Sequence, residues 1–232
     1  QIFGRAGRPQ FENHGEGIIL TTHDKLFHYL NAIMCQTPIE SQFIKMLPDN
    51  LNAEIALGTV SNRQEAIAWL GYTYLSVRMR RNPLSYGITP KDLALDPHLN
   101  LKIDSLICEV ALKLRNCGMI NFDNPEREGF MRIRNVGRLA SLFYLKYETV
   151  EHFGRLMKPQ MTEEHLLSMI CECSEFETIK IREEEMNELE ELASTSVMSI
   201  KGDLASPGAK VSLLLQAYIS RYDPVSFSLQ SD

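Results

Sequence analysis

The sequence predicts a mainly α-helical fold in three consecutive parts. Apolar residues recur at intervals of three and four along most of the 232 residues, as they do on the buried face of amphipathic helices. Strand-like runs, in contrast, are few and short. Proline directly after a hydroxyl or acidic residue marks four helix starts, at Thr37-Pro38, Thr89-Pro90, Asp96-Pro97 and Ser206-Pro207.

The composition is that of a globular chain, with 44% hydrophobic and 23% charged residues. There is no run of about 18 apolar residues and no apolar leader, so neither a membrane nor secretion is predicted. The five cysteines lack paired metal-ligand spacing, so we predict no metal site and a reducing compartment.

The net charge of −6 is unevenly distributed. Eleven acidic and two basic residues lie between Thr162 and Leu192, which leaves 19 acidic and 22 basic residues in the remainder. A mildly positive remainder permits contact with phosphate, but dedicated nucleic-acid domains are usually far more basic.

Residues 1–36 read as the end of an α/β domain. The β-branched apolar run Gly17–Thr22 predicts a strand, and the spacing over Asp24–Met34 predicts a helix. A single strand leaves a sheet unpaired, so we expect the rest of this domain upstream and the chain to be a fragment. No G-x-x-x-x-G-K-[ST] loop is present, so the fragment alone is predicted not to hydrolyse ATP.

Residues 37–135 read as three helices followed by a β-hairpin. A capping signature at Thr37-Pro38-Ile39-Glu40 predicts a helix start and two short helices. A capping box at residues 61–65 predicts a long helix that ends at Arg81, and a further helix runs from Leu99 to Gly118.

The hairpin predicts a winged helix, because three helices and then two short strands is the order of that fold. Its strands are predicted at 119–122 and 130–133, joined by a polar turn. The helix before the hairpin carries little positive charge beyond Lys102, Lys113 and Arg115, so a structural role is favoured over the reading of bases.

Residues 136–232 predict the start of a helical bundle. Its first apolar stripe holds Val136, Leu139, Ala140, Phe143 and Tyr144. A later acidic helix has its own apolar stripe of Met186, Leu189 and Ala193. We therefore interpret the acidic run, in which Glu183, Glu184, Glu188 and Glu191 lie off that stripe, as a solvated face.

Arg78, Arg80 and Arg81 form a basic cluster at the end of the long helix. Cations there suit the negative end of the helix dipole, and they also suit contact with phosphate or another domain. The cluster is therefore a candidate nucleic-acid site.

The first nine residues, QIFGRAGRP, contain the strongest candidate site. Arg5 and Arg8 lie three residues apart, and Gly4 and Gly7 precede them directly. Two arginines with small neighbours suit a triphosphate, because guanidinium groups can stabilise charge on the γ-phosphoryl oxygens. From spacing alone, a surface turn with two solvated arginines is an equal alternative.

This segment resembles motif VI of Ski-type superfamily 2 helicases, Q-x-x-G-R-A-G-R-P, at every fixed position. The stretches GEGIILTTHDKLFHYL, WLGYTYLSVRMRRNPLSYGI and SPGAKVSLLLQAYISR also resemble the sequence that follows motif VI in family members with a Sec63-type helical domain. The resemblance covers nearly the whole chain.

The resemblance implies that residues 1–36 end the second RecA-like domain and that the winged helix is a brace between it and the bundle. It implies 3′-to-5′ unwinding of DNA or RNA, driven by ATP with Mg²⁺ held outside this chain. Arg5 and Arg8 would contact the γ-phosphate and stabilise its transition state. Gln1 and Gly4 would also belong to the nucleotide-binding site, and Gln1 would link the nucleotide state to domain closure.

Partners and location are also implied only by the resemblance. They are other subunits of an activating signal cointegrator-type complex and the ribosome, with roles in DNA alkylation repair and in dissociating stalled ribosomes, in nucleus and cytoplasm. Three alternatives stay open: a spliceosomal-type RNA helicase cassette, a non-enzymatic protein-binding cassette, and a free-standing winged-helix binder of nucleic acid.

Overall fold

The computed structural model describes residues 6–7, 10–11, 14–34, 38–200 and 203–232. The chain divides into two compact units, Gln1–Glu40 and Ser41–Asp232. In the first unit, helix α1 (Leu26–Ile33) confirms the predicted helix. The strand predicted at Gly17–Thr22 is wrong, because these residues have no strand partner in the described part of the unit.

The second unit begins with five helices, α2 (Phe43–Leu57), α3 (Arg63–Gly71), α4 (Tyr74–Arg81), α5 (Pro90–Leu95) and α6 (Asn100–Asn116). An antiparallel hairpin follows, made of β1 (Ile120–Asp123) and β2 (Phe130–Ile133). The remaining helices are α7 (Asn135–Phe143), α8 (Tyr147–Leu156), α9 (Glu163–Cys171), α10 (Met186–Thr195), α11 (Pro207–Ile219) and α12 (Phe227–Ser231). The fold is thus mainly α, and it contains the predicted winged helix.

Two predicted helix starts are displaced. The helix predicted to start at Thr37-Pro38 begins at Phe43, and residues 38–42 are not helical. The two short helices expected here are one helix, α2, which contains Pro48 in its interior. At Asp96-Pro97 the helix begins later, at Asn100, and the Asp96 carboxylate caps it by accepting the N–H groups of Asn100 and Leu101.

The long helix predicted to end at Arg81 is two helices. Its start is confirmed, because the Asn62 side chain accepts the Glu65 N–H at 2.9 Å. It is interrupted where the Thr73 hydroxyl donates to the Leu70 carbonyl and accepts the Ser76 N–H, which ends α3 and caps α4. The Thr73 side chain, which hydrogen-bonds to backbone groups on both sides, therefore separates two helices although the apolar periodicity continues across it.

The hairpin confirms the predicted wing. Ile120 pairs with Ile133 and Phe122 with Met131, so these four apolar side chains share one face, whereas Phe130 lies on the other face and is exposed. This face closes a core that also includes α2, α3, α4 and α6, with Leu47, Leu51, Leu70, Leu75, Met79, Ile107 and Leu114 all fully buried.

The winged helix packs directly against the helices that follow it. The Asn52 side chain donates to the Gly137 carbonyl at 2.8 Å, and the Asp49 carboxylate accepts the Tyr147 N–H at 2.6 Å. α7 approaches α2 closely because Gly137 and Ala140 face inward. The stripe predicted for α7 is therefore mostly wrong: Ala140 is buried, but Val136, Leu139, Phe143 and Tyr144 are exposed.

Replacing Gly137 by alanine should lower the free energy of unfolding by about 1–3 kcal/mol. A Cβ at this position would lie 2.3 Å from the Met119 carbonyl oxygen and 2.6 Å from Asn52 Oδ1, and backbone atoms cannot move aside easily. Gly154→Ala in α8 is the matched control, because its Cβ would meet no atom within 4 Å. Urea unfolding should show the control unchanged or more stable; equal stability of the two variants would contradict the packing described here.

Candidate functional site

The predicted nucleotide site falls largely outside the described residues. Gln1, Gly4, Arg5 and Arg8 all lie there, so the structure does not place them. Of this motif, Ala6 and Gly7 are described, and Gly7 has a φ of +80°. A Cβ on Gly15 would lie 2.6 Å from the Ala6 carbonyl oxygen, so the chain folds back tightly onto the motif in a way that requires glycine.

The basic cluster does not form one exposed face. Arg78 is only 8% exposed, so it is buried rather than accessible for the predicted contact with phosphate. Arg80 and Arg81 are exposed in the last turn of α4, where their charge suits the helix dipole. Contact between these two residues and nucleic acid stays a prediction.

The helix before the wing, α6, has much of its polar surface committed to other contacts. Arg63 of α3 forms a bidentate ion pair with Asp104, and its Nη1 donates to the Pro125 carbonyl at 2.7 Å, which ties the wing turn to α3 and α6. Lys113 pairs with Glu109 at 2.8 Å on the same helix. These contacts favour the structural role expected for this winged helix over a free-standing reader of bases.

Sequence reasoning missed a charged cluster in the bundle. Lys210 of α11 is fully buried, and its ammonium group donates to the Lys180 carbonyl at 2.9 Å, to Glu185 at 2.6 Å and to Asp232 at 2.7 Å. Arg182 completes the cluster by pairing with Glu185 at 2.5 Å and with Asp232 at 3.2 Å. All three ammonium protons therefore have acceptors, as a buried lysine requires.

A signal for this cluster was present in the sequence. Lys210, Leu213 and Ala217 are spaced by three and four residues, so a lysine occupies the core-facing register of an apolar helix. The reading of the acidic run as a solvated face is also wrong for Glu185, which is 1% exposed and faces that lysine.

Glu185 is held in its charged form. Burial by itself raises the pKa of a carboxyl group, but hydrogen bonds from Lys210 and Arg182 outweigh it and lower the pKa of Glu185 from 4.5 to about 2. The pKa of Asp232 is lowered as well, first by the hydrogen bond from Lys210. Both carboxylates should remain ionised at neutral pH.

The stabilising effect of Glu185 should disappear in acid. Its pKa is lower in the folded protein, so the contribution is complete above its ordinary value of 4.5 and is lost as pH falls toward about 2. Urea unfolding between neutral pH and about pH 3 should therefore show stability that declines with acidification. Glu185→Gln should flatten this decline; an unchanged slope would contradict the assignment.

The described part of the chain contains neither a metal-binding group of side chains nor a membrane-spanning helix. No three or more His, Cys, Asp and Glu side chains there are arranged to hold a metal ion. Within the same ranges, no helix has the length and hydropathy of a membrane span.

Comparison with known proteins matches both domains of the second unit. Residues 40–121 match the winged helix-turn-helix domain family, and residues 133–232 match the Sec63 Brl domain family. Over its whole length the chain is 51% identical to the DExH-box ATP-dependent RNA helicase DExH14 of Arabidopsis thaliana, of which it covers 11%.

The whole chain is also 51% identical to activating signal cointegrator 1 complex subunit 3 of Homo sapiens. It is 46% identical to the protein of that name in Dictyostelium discoideum, and it covers 10% of each of these relatives. The chain therefore spans about a tenth of the length of the curated relatives it matches.

Proposed function

We propose that the chain is part of an ATP-dependent nucleic-acid helicase, in which a winged helix-turn-helix domain at residues 40–121 precedes a Sec63 Brl domain at residues 133–232. The observation that carries this proposal is the match over the whole chain, motif QIFGRAGRP included, to relatives of which one is named an ATP-dependent RNA helicase. In this proposal residues 1–36 end the second RecA-like domain, 37–135 form the winged helix and 136–232 begin the Sec63 bundle.

The nucleotide chemistry would depend on the amino-terminal motif. Bound ATP supplies the γ-phosphoryl group that is transferred to water. Arg5 and Arg8 would bind its oxygens, and two guanidinium groups suit this charge because each is permanently ionised and offers a planar set of donors. Gln1 and Gly4 would line the same site, and Mg²⁺ would be held by residues outside this chain.

The winged helix would act as a rigid brace. Its contacts with the bundle, from Asn52 to Gly137 and from Tyr147 to Asp49, join both parts within one compact unit. A rigid connection of this kind would pass movement of the RecA-like domain on to the bundle. Arg80 and Arg81 are the candidates for contact with phosphate on this brace.

The biological setting that we propose follows from the resemblance of the sequence to Ski-type helicases. The substrate would be DNA or RNA unwound in the 3′-to-5′ direction, in alkylation repair or the dissociation of stalled ribosomes. The partners would be other subunits of an activating signal cointegrator-type complex and the ribosome, in nucleus and cytoplasm.

The test is ATP hydrolysis by the full-length protein with and without single-stranded DNA or RNA, combined with unwinding of duplexes that carry a 3′ or a 5′ overhang. We expect nucleic acid to stimulate hydrolysis and unwinding to require the 3′ overhang. Unwinding of RNA alone would favour a spliceosomal-type cassette. Partner binding without any ATP hydrolysis would contradict the enzyme and support a non-enzymatic cassette.

A further inference from the structure

The wing has an outer face that carries an aromatic ring followed by arginines. Side chains alternate along a strand, so Phe130, Arg132 and Arg134 all lie on the face away from the core. Phe130 is 42% exposed, and the Arg132 side chain is 75% exposed. Arg138 lies one helical turn after Arg134, whose carbonyl accepts its N–H at 2.9 Å, and both residues are exposed. Arg132, Arg134 and Arg138 are here called the arginine row.

Local electrostatics do not account for the whole arginine row. Arg134 and Arg138 lie at the start of α7, where the positive helix end disfavours cations and the first turn contains no acid. Arg134 also approaches the negative end of α6, with Nη1 3.6 Å from the Cβ position of Gly118. Within the described ranges, the ion pair made by the row joins Arg132 to Asp123 at 3.4 Å, and an exposed pair of this kind contributes little. The row therefore has donors available for an external anion.

A hollow of about 330 Å³ lies beside Phe130, at the end of this face that is opposite α7. It lies between the start of α3 and the wing turn, and its lining residues are Asn62, Gln64, Arg127, Glu128 and Phe130. An unpaired base has a face that stacks on an aromatic ring and edges that donate and accept hydrogen bonds. The Gln64 amide, the Arg127 guanidinium and the Glu128 carboxylate offer donors and acceptors for such edges.

Contacts of Arg63 and Ser61 hold the hollow in a fixed shape. The Arg63 N–H donates to the Gly129 carbonyl at 3.1 Å, and its guanidinium donates to the Pro125 carbonyl at 2.7 Å. The Ser61 carbonyl accepts the Met131 N–H at 2.7 Å, which joins β2 to the segment before α3. A site that is already formed before binding loses less conformational entropy when it takes a ligand.

We propose that this face of the wing binds single-stranded nucleic acid, with one unpaired base stacked on Phe130 in the hollow and the arginine row on the phosphates of neighbouring nucleotides. The inference rests on the proposed helicase function and adds to it a strand-binding site on the winged helix. It differs from the reading of bases by α6, because stacking accepts every base and gives little sequence preference. An acidic protein surface would match the arginine row but would leave the stacking hollow without a purpose.

The test measures binding of labelled single-stranded DNA and RNA to the full-length protein, without ATP and over a series of salt concentrations. Replacing Arg132, Arg134 and Arg138 together by alanine should weaken binding at least about tenfold at low salt. The slope of the logarithm of affinity against the logarithm of salt concentration should also fall by about 2, because each phosphate contact on a single strand contributes about 0.7.

The matched control replaces three exposed lysines elsewhere, Lys91, Lys158 and Lys180, together by alanine. It removes equal charge and should change neither the affinity nor the salt slope appreciably. Phe130→Ala should weaken single-strand binding about tenfold with an unchanged salt slope, because stacking releases no counterions, and Phe130→Trp should restore it. A blunt-ended duplex offers no unpaired base, so Phe130→Ala should leave its binding unchanged.

Unchanged single-strand binding in the variant without the arginine row would overturn the inference and favour an acidic protein partner for this face. Equal weakening in the lysine control would overturn it as well, because the effect would then be one of net charge. The same holds if Phe130→Ala leaves single-strand binding unchanged. Because binding is measured without ATP, a wild type that binds strands through these residues but hydrolyses no ATP would contradict the proposed function and still support this site.

Discussion

Replacing Arg8 by alanine in the full-length protein should lower ATP turnover by at least about 10³-fold, the effect of losing an arginine that stabilises charge on a transferring phosphoryl group. The change should appear mainly in kcat, because charge on the γ-phosphoryl oxygens develops in the transition state. Steady-state hydrolysis at saturating ATP measures it directly. Arg5→Ala should act in the same direction.

Two controls separate this effect from misfolding. Arg8→Lys keeps the positive charge but loses the planar fork of donors, so it should restore little turnover. Arg155→Ala removes an exposed arginine of α8 and should leave turnover within about twofold of the wild type, since substitutions of exposed side chains usually have small effects. If Arg8→Ala stays within about tenfold of the wild type, the assignment of this motif is wrong.

The second large effect is expected at Lys210. Lys210→Met should lower the free energy of unfolding by about 3–5 kcal/mol, because it leaves the buried Glu185 carboxylate without its main partner. Urea unfolding at neutral pH is the measurement. Lys180→Met removes an exposed lysine from the same region and should change stability by less than about 0.5 kcal/mol.

A double variant distinguishes loss of pairing from loss of packing. Adding Glu185→Leu to Lys210→Met removes both buried charges, so most of the lost stability should return. If the double variant is as unstable as the single one, the cost lies in packing and the account of the cluster is wrong. A cost of less than about 1 kcal/mol for Lys210→Met would contradict it as well.

Local signals accounted for several helix starts. Thr89, Thr162 and Ser206 each accept an N–H three residues ahead in the structure, as their place before an amphipathic segment predicts. The wing was predictable for the same reason, since its strands lie six residues apart and pair through a short turn. Failures occurred where two local signals competed, as at Thr73, or where a strand had no partner, as at Gly17–Thr22.

The two candidate sites differ in how far the sequence alone could predict them. The motif with Arg5 and Arg8 was recognisable because its glycines and arginines lie within nine residues, although the structure does not describe those side chains. The charged cluster around Lys210 was not recognised, because Lys210 meets Glu185 and Asp232 across 25 and 22 residues of sequence. Periodicity identifies a buried position, but it cannot identify the partner that neutralises a charge there.

The helical class, the wing and the family motif could be predicted from the sequence, because they depend on caps, tight turns and apolar spacing within a few residues. Packing between distant segments settled the rest: which face of α7 is buried, that Arg78 points inward, and that the acidic run supplies a buried anchor for Lys210. The physical reason is the distance along the sequence over which each kind of interaction acts. Backbone hydrogen bonds at helix ends are satisfied locally, whereas burial and charge pairing depend on neighbours that only the folded chain brings together.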